Sequence, residues 1–331
     1  MTGWFIAAKA RALGAPSGFF RERADSVSDL AEQGKYMRRA AKASVSISLF
    51  LVAIKTYAYF ASHSVAMLAS LADSALDLFT AGLNLFAIHE ALAPADKEHR
   101  FGHGKAEPLA GLAQGAFITA SAMFLVIQAV QRLLNPQPIA HGLEALLVML
   151  ISIAMAIGLI LYERGVIKRT GSLAVSADQT HYLGDLVTNI GVVIAILLAT
   201  VLGWQSADPI IALLVAAVLV GSAWLVFRKC LDQLMDHELP DADRAKIIAI
   251  VRSHPQVKNL HDLKTRAAGL YTFIQCHIEL DPDMPLAEAH TVSDEVEHEL
   301  CAAFDKAEVI IHQDPAGLEA VPERSATAGN S

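Results

Sequence analysis

Charge is scarce in this chain: only 18% of its 331 residues are Asp, Glu, Lys or Arg, against 54% that are hydrophobic. An average soluble domain carries about 25% charged residues, so the deficit argues against an ordinary soluble enzyme. Cysteine is scarcer still. Cys230, Cys276 and Cys301 form no CxxC pair, which argues against a thiolate metal site and suits a reducing cytosol. Two motifs are missing as well. The chain has no GxxxxGK[ST] phosphate loop to couple ATP directly and no HExxH to make a membrane metalloprotease. No nucleotide or nucleic-acid partner is expected.

What the chain has instead is long apolar runs. Six of them, at roughly 43–61, 65–93, 108–134, 144–162, 173–202 and 208–228, come near or exceed the ~20 residues that cross a bilayer. The start, MTGWFIAAKARALGAPSGFF, has too short an apolar run and the wrong flanks for a cleaved signal peptide, and is expected to remain in the mature chain. Lys and Arg crowd the N-terminal arm, the second and fourth connections and the end of span six, whereas the odd-numbered connections carry essentially none apart from Arg132. The positive-inside rule then places both termini in the cytoplasm of a multi-pass protein of the cytoplasmic membrane.

Composition changes abruptly after span six. Periodicity and turn residues from Asp236 to about Gly317 predict helix, strand, strand, helix, strand, a small two-layer α+β domain. The expected organisation is an arm at 1–42, a six-helix transmembrane domain at 43–230, a cytoplasmic domain at 231–317 and a disordered tail at 318–331.

Within span two, LADSALDLF sets Asp73 and Asp77 four residues apart, on one helical face. Span five repeats the spacing with His181 and Asp185 in ADQTHYLGDL. A carboxylate at the centre of a spanning helix costs several kcal/mol, so such residues are functional by default. Counting ~1.5 Å per residue from each helix start puts all four roughly 12–18 Å into a ~30 Å core. Antiparallel spans would then bring Asp77 level with His181 and Asp73 level with Asp185. Three carboxylates and an imidazole suit a borderline divalent ion, Zn²⁺, Fe²⁺, Cd²⁺ or Mn²⁺. The competing readings are helix caps or a metal-free proton relay.

Two further clusters stay open on the residues alone. Asp96, His99 and His103, in PADKEHRFGHGKAEP, have the spacing of one helical face, although Gly102 and Gly104 favour a tight loop. They are either ligands or a solvated surface. In the C-terminal domain His261, His277, His290, His312 and Asp314 make either a shared metal site or ordinary core and surface histidines. His63, His89, His141, His237, His254 and His298 read as the latter. The GxxxG of Gly111 and Gly115 reads as close helix packing.

The DxxxD of span two, the HxxxD of span five, the six-span layout and the αββαβ domain resemble the cation diffusion facilitators, especially their bacterial iron/zinc efflux branch, over about residues 36–316. The resemblance implies a ferredoxin-like or metallochaperone-like cytoplasmic domain and a homodimer that exchanges a divalent metal for protons. It implies that Asp73, Asp77, His181 and Asp185 form the transport site and that Asp96, His99 and His103 form a cytoplasm-facing zinc site. It further implies that the C-terminal cluster binds two zinc ions bridged by Asp314, and that Lys105 and Asp236 pair to lock the dimer. The runner-up expectation is a metal-gated channel or a passive metal sensor.

Overall fold

The computed structural model describes residues 17–62, 65–134, 143–202, 204, 206–304 and 306–317. The expectations for the first 16 residues, for the tail at 318–331 and for His63 and His141 fall outside them. Six long helices come first: α1 (Ser17–Ser62), α2 (Val65–Ala91), α3 (Ala106–Leu134), α4 (Leu143–Thr170), α5 (Leu173–Leu202) and α6 (Ala207–Leu234). Then follow α7 (Asp241–Ser253), β1 (Asn259–Ala268), β2 (Tyr271–Leu280), α8 (Leu286–Ala303) and β3 (Ala307–Pro315). Among the described residues five stretches, in α1, α2, α3, α4 and α6, are long and apolar enough to cross a membrane. The sixth helix, α5, has comparable length and packs against α2, α3, α4 and α6. The chain divides into two compact units: one is Gln33–Leu234, and the other holds the chain from Met235 on together with the start of α1 up to Glu32.

The helical unit is apolar outside and encloses buried polar groups among its apolar core. Phe86, Phe124, Leu134 and Trp224 are 62–73% exposed, whereas Ser44, Ser48, Thr80, Asn84, Glu107, Gln114, Glu163, Asp178 and His181 are buried. In lipid this is the stable arrangement, because polar groups find partners only inside the bundle. Small residues let the helices approach. A Cβ on Gly111 would lie 2.4 Å from Cys230 Sγ and one on Gly115 3.3 Å from the Phe227 ring, so the GxxxG face of α3 packs on α6 of the same chain. On α5, Gly184 is as tight against Leu219 at 2.5 Å. Arg132, at the end of α3, pairs with Asp208 in the first turn of α6.

In the second unit a three-stranded sheet has the order β1-β2-β3, with β1 antiparallel and β3 parallel to β2. Strand alternation sends Ile274, Cys276, Ile278 and Leu280 of β2 inward, where they pack with Ile247 and Val251 of α7 and Val292, Val296 and Leu300 of α8. Pro240 and Pro285 stand at the N-caps of α7 and α8, where the missing N–H costs nothing. The other face of β2 offers Gln275, His277 and Glu279.

Candidate metal sites

In the bundle, α2 and α5 bring Asp77, His181 and Asp185 together, with one ligand atom from each within 4.8 Å of the others. His181 Nε2 lies 3.1 Å from Asp77 Oδ1 and 3.7 Å from Asp185 Oδ2. Two ligands bound ~2.0–2.1 Å from one tetrahedral ion stand about 3.3 Å apart, so these separations fit a shared ion. Asp73 does not join the group: its side chain is exposed, one turn before Asp77 on α2. Lys55, which sequence reasoning passed over, is buried on α1 and donates to Ser74 Oγ at 2.6 Å and to the Ser70 carbonyl at 3.2 Å. Its ammonium therefore ends one residue from Asp73.

The entry of α5 into the bundle is held by a cap. Ser172 accepts from the Val175 N–H at 3.2 Å and donates to Glu107 Oε1, which also accepts from the Ala174 N–H at 3.1 Å. A buried carboxylate at a helix N-terminus is favoured by the unpaired N–H groups and the helix dipole. Further along, Tyr182 Oη sits 3.1 Å from Ser44 Oγ and 2.7 Å from Ser48 Oγ, joining α5 to α1.

Asp96, His99 and His103 also converge, but on a loop between α2 and α3 rather than on a helical face. Asp96 Oδ1 accepts from the backbone N–H groups of Glu98 at 2.8 Å and His99 at 2.6 Å, and Gly102 has φ +76°. This Asx-type turn brings the His99 and His103 imidazoles to 3.4 Å from the two Asp96 oxygens. The His99 N–H, more than the nearby imidazoles, holds the Asp96 carboxyl below its usual range.

On the sheet, the register sets His261, His277 and His312 abreast on three neighbouring strands. Asp314, two residues along β3 and 5% exposed, touches all three: its oxygens lie 3.3 Å from His261, 2.8 Å from His277 and 3.2 Å from His312. His290 is not brought in; it is exposed on α8 beside Asp294 at 3.5 Å. Asp262, which sequence reasoning missed, stands 3.8 Å from His277. Strand alternation should send it to the face opposite its neighbour His261. A bulge between His261 and Lys264, with φ +48° at Asp262, turns it back. The bonded Lys264 ammonium lowers its carboxyl pKa.

Lys105 donates to the Leu234 carbonyl at 3.4 Å within the helical unit, and Asp236 pairs with Arg266 at 3.3 Å within the other. His254, buried, pairs with Glu295 at 2.9 Å, a structural contact.

The fold first defines a class: a multi-pass helical membrane protein with a small α+β domain after its last span. Comparison with known proteins then makes it particular. Residues 41–235 match the cation efflux transmembrane domain and residues 239–316 the cation efflux protein cytoplasmic domain. The chain belongs to this family, the cation diffusion facilitators. A cation-efflux pump FieF of Shewanella oneidensis is 42% identical over 284 residues, 86% of this chain and 96% of the relative. Protein p34 of Rickettsia rickettsii is 40% identical over 294 residues, 88% of this chain and 96% of the relative. The metal-bound C-terminal domain of a CzcD transporter from Thermotoga maritima is 29% identical and covers 24% of this chain and 96% of its own, at a TM-score of 0.23.

Proposed function

We propose that this protein exports a divalent cation, Zn²⁺ first among Zn²⁺, Fe²⁺, Cd²⁺ and Mn²⁺, from the cytosol across the cytoplasmic membrane in exchange for protons. The observation that carries the reading is the convergence of Asp77, His181 and Asp185 from two helices inside the bundle. Its support is membership of a cation efflux family and relatives named as cation-efflux pumps. Asp73 is the fourth ligand, reached by a small shift of α2 against α5. Metal ligands bind deprotonated, so loading expels protons and unloading takes them up, and access alternates around the cage.

Both termini face the cytosol, and the active unit is a homodimer joined through the C-terminal domain. There Asp314 and its three imidazoles would hold resident zinc, a donor set of nitrogen and oxygen that suits that ion. The Asp96, His99 and His103 loop is a second cytosolic zinc site. The test is metal uptake into proteoliposomes with each of the four ions, with and without an imposed pH gradient. Uptake accelerated by the gradient and lost in Asp185→Ala is expected. Uptake indifferent to the gradient would instead make the protein a passive channel, and none at all would overturn the transport reading.

A further inference from the structure

Among the described residues, two buried carboxyls inside the bundle belong to neither a cage nor a helix cap. Glu163 on α4 is wholly buried and Asp178 on α5 is 1% exposed, and none of their four carboxylate oxygens makes a hydrogen bond of normal geometry. Gln179 Nε2 donates to the Ile160 carbonyl at 2.9 Å, so α4 and α5 touch beside the two carboxyls, which interact with each other; Ser44 of α1, Asn84 of α2 and, on its own helix, His181 also interact with Asp178. Asn84 is itself 6% exposed, and its Nδ2 has no partner. Among the described residues no Lys or Arg pairs with either carboxyl.

Two ionised carboxylates side by side, dry and without a cation, are not a stable arrangement. Like charges at close range disfavour double ionisation, and burial disfavours even one charge. A proton between them relieves both penalties. Asp178 stands three residues before His181, about 4.5 Å along the helix axis toward its N-terminal end. Ser44 continues through Tyr182 Oη to Ser48, so a chain of hydroxyls leads away from the pair along α1.

We propose that Glu163 and Asp178 form a proton-binding site, a carboxyl pair that holds at least one proton at neutral pH one helical turn from the metal cage. Resting on the transport reading above, its role is to be the proton partner of the cargo. A divalent ion arriving between Asp77, His181 and Asp185 repels the proton on the pair, and its departure draws a proton back. By linkage the coupling is reciprocal: protonating the pair weakens metal binding at the cage.

Infrared difference spectroscopy on the full-length protein in detergent tests this without transport. A protonated-carboxyl C=O band is expected at pH 7 in metal-free protein, reversibly lost on alkaline titration and diminished when Zn²⁺ is added. Glu163→Gln and Asp178→Asn, both neutral and nearly isosteric with the protonated groups, should each shift that band in frequency and change the pH at which it is lost, whereas Asp77→Asn should leave it. Fewer protons released per zinc bound, read with a pH dye, should accompany the shift in either variant. A band unchanged in frequency and in titration midpoint in both Glu163→Gln and Asp178→Asn would overturn the proposal. So would a loss of one bound zinc in either variant, which would make the pair a metal site. The wild-type alkaline titration needs no variant to fold, and absence of the band there is likewise fatal. Failure of proteoliposome transport in wild type would sink the functional reading but leave the infrared result standing.

Discussion

The ligand clusters of the bundle and of the C-terminal domain are built on opposite plans. In the domain, backbone ladders fix three histidines abreast, and one buried aspartate touches each of them. In the bundle, the ligands ride on two separate helices, a histidine rather than a carboxylate is the pivot, and Asp73 stands outside the group. A cluster registered by β-ladder hydrogen bonds comes apart only if the sheet does. A cluster held by helix–helix packing opens when one helix slides or tilts against another, the kind of shift that switching proteins use. The first plan suits a metal that stays and the second a metal that must leave.

The strongest way to break this contrast is to remove one ligand from each cluster. Asp77→Ala or Asp185→Ala should abolish flux in proteoliposomes while leaving the size-exclusion profile of the folded protein unchanged, because each removes a costly buried charge along with the ligand. Asp314→Ala should leave transport measurable. Equal loss of flux in both would erase the distinction. A smaller effect concerns which histidines count. In full-length Asp185→Ala, a further Asp314→Ala should weaken zinc binding at the domain by more than about tenfold, about 1.4 kcal/mol, in calorimetric titration. His290→Ala should not, and a comparable loss there would return His290 to the ligand set.

Helix packing gives a third test. Gly111→Ala forces a methyl against Cys230 Sγ and should cost about 1–3 kcal/mol, seen as a lower unfolding temperature in detergent and rescued by Cys230→Ala. Gly82→Ala, where nothing lies within 4 Å, should be silent or mildly stabilising. The smallest effect reads the rigidity of the sheet. Burial pushes the Cys276 thiol up to about 11 from its ordinary 9.0. Its thiolate is then about 100-fold rarer near neutral pH, so mass spectrometry after alkylation should find Cys301 modified and Cys276 not. Between pH 9 and 11 the unfolded thiol ionises while the folded one does not, so this group's contribution to stability falls as pH rises through that window. Rapid labelling of Cys276 at pH 8 would mean that the sheet beneath the histidines opens readily.

Most of this architecture is legible in the sequence. Apolar runs mark the spans, and β3 occupies AEVIIHQDP as expected. Spacing of four residues on two antiparallel helices anticipates the meeting of Asp77 with His181. The first helix begins at Ser17, well before the apolar run at 43, because a polar stretch of good helix formers extends a helix without any apolar signal. Glu163 was hidden for a related reason. The apolar run of span four stops at 162, so the ERG that follows reads as a connection, yet α4 continues to Thr170 and carries the carboxyl inward. Asp178 was visible in ADQTHYLGD, one turn from His181, but without its partner it had no evident role. Asp262 was illegible in principle, since only the bulge decides which face it joins.

The polar face of α5 also bears on how this protein is made. Asp178, His181 and Asp185 fall within its first thirteen residues, and each aspartate near a helix centre costs about 2.5–3.5 kcal/mol at the translocon. Residues 186–202 hold no charged side chain, so the helix is polar at its start and apolar over the rest. It enters beside neighbours that can take its polar face, and α3, already inserted when α5 emerges from the ribosome, offers Glu107 to the first N–H groups of that helix. Insertion of the polar end of α5 is therefore coupled to assembly of the bundle.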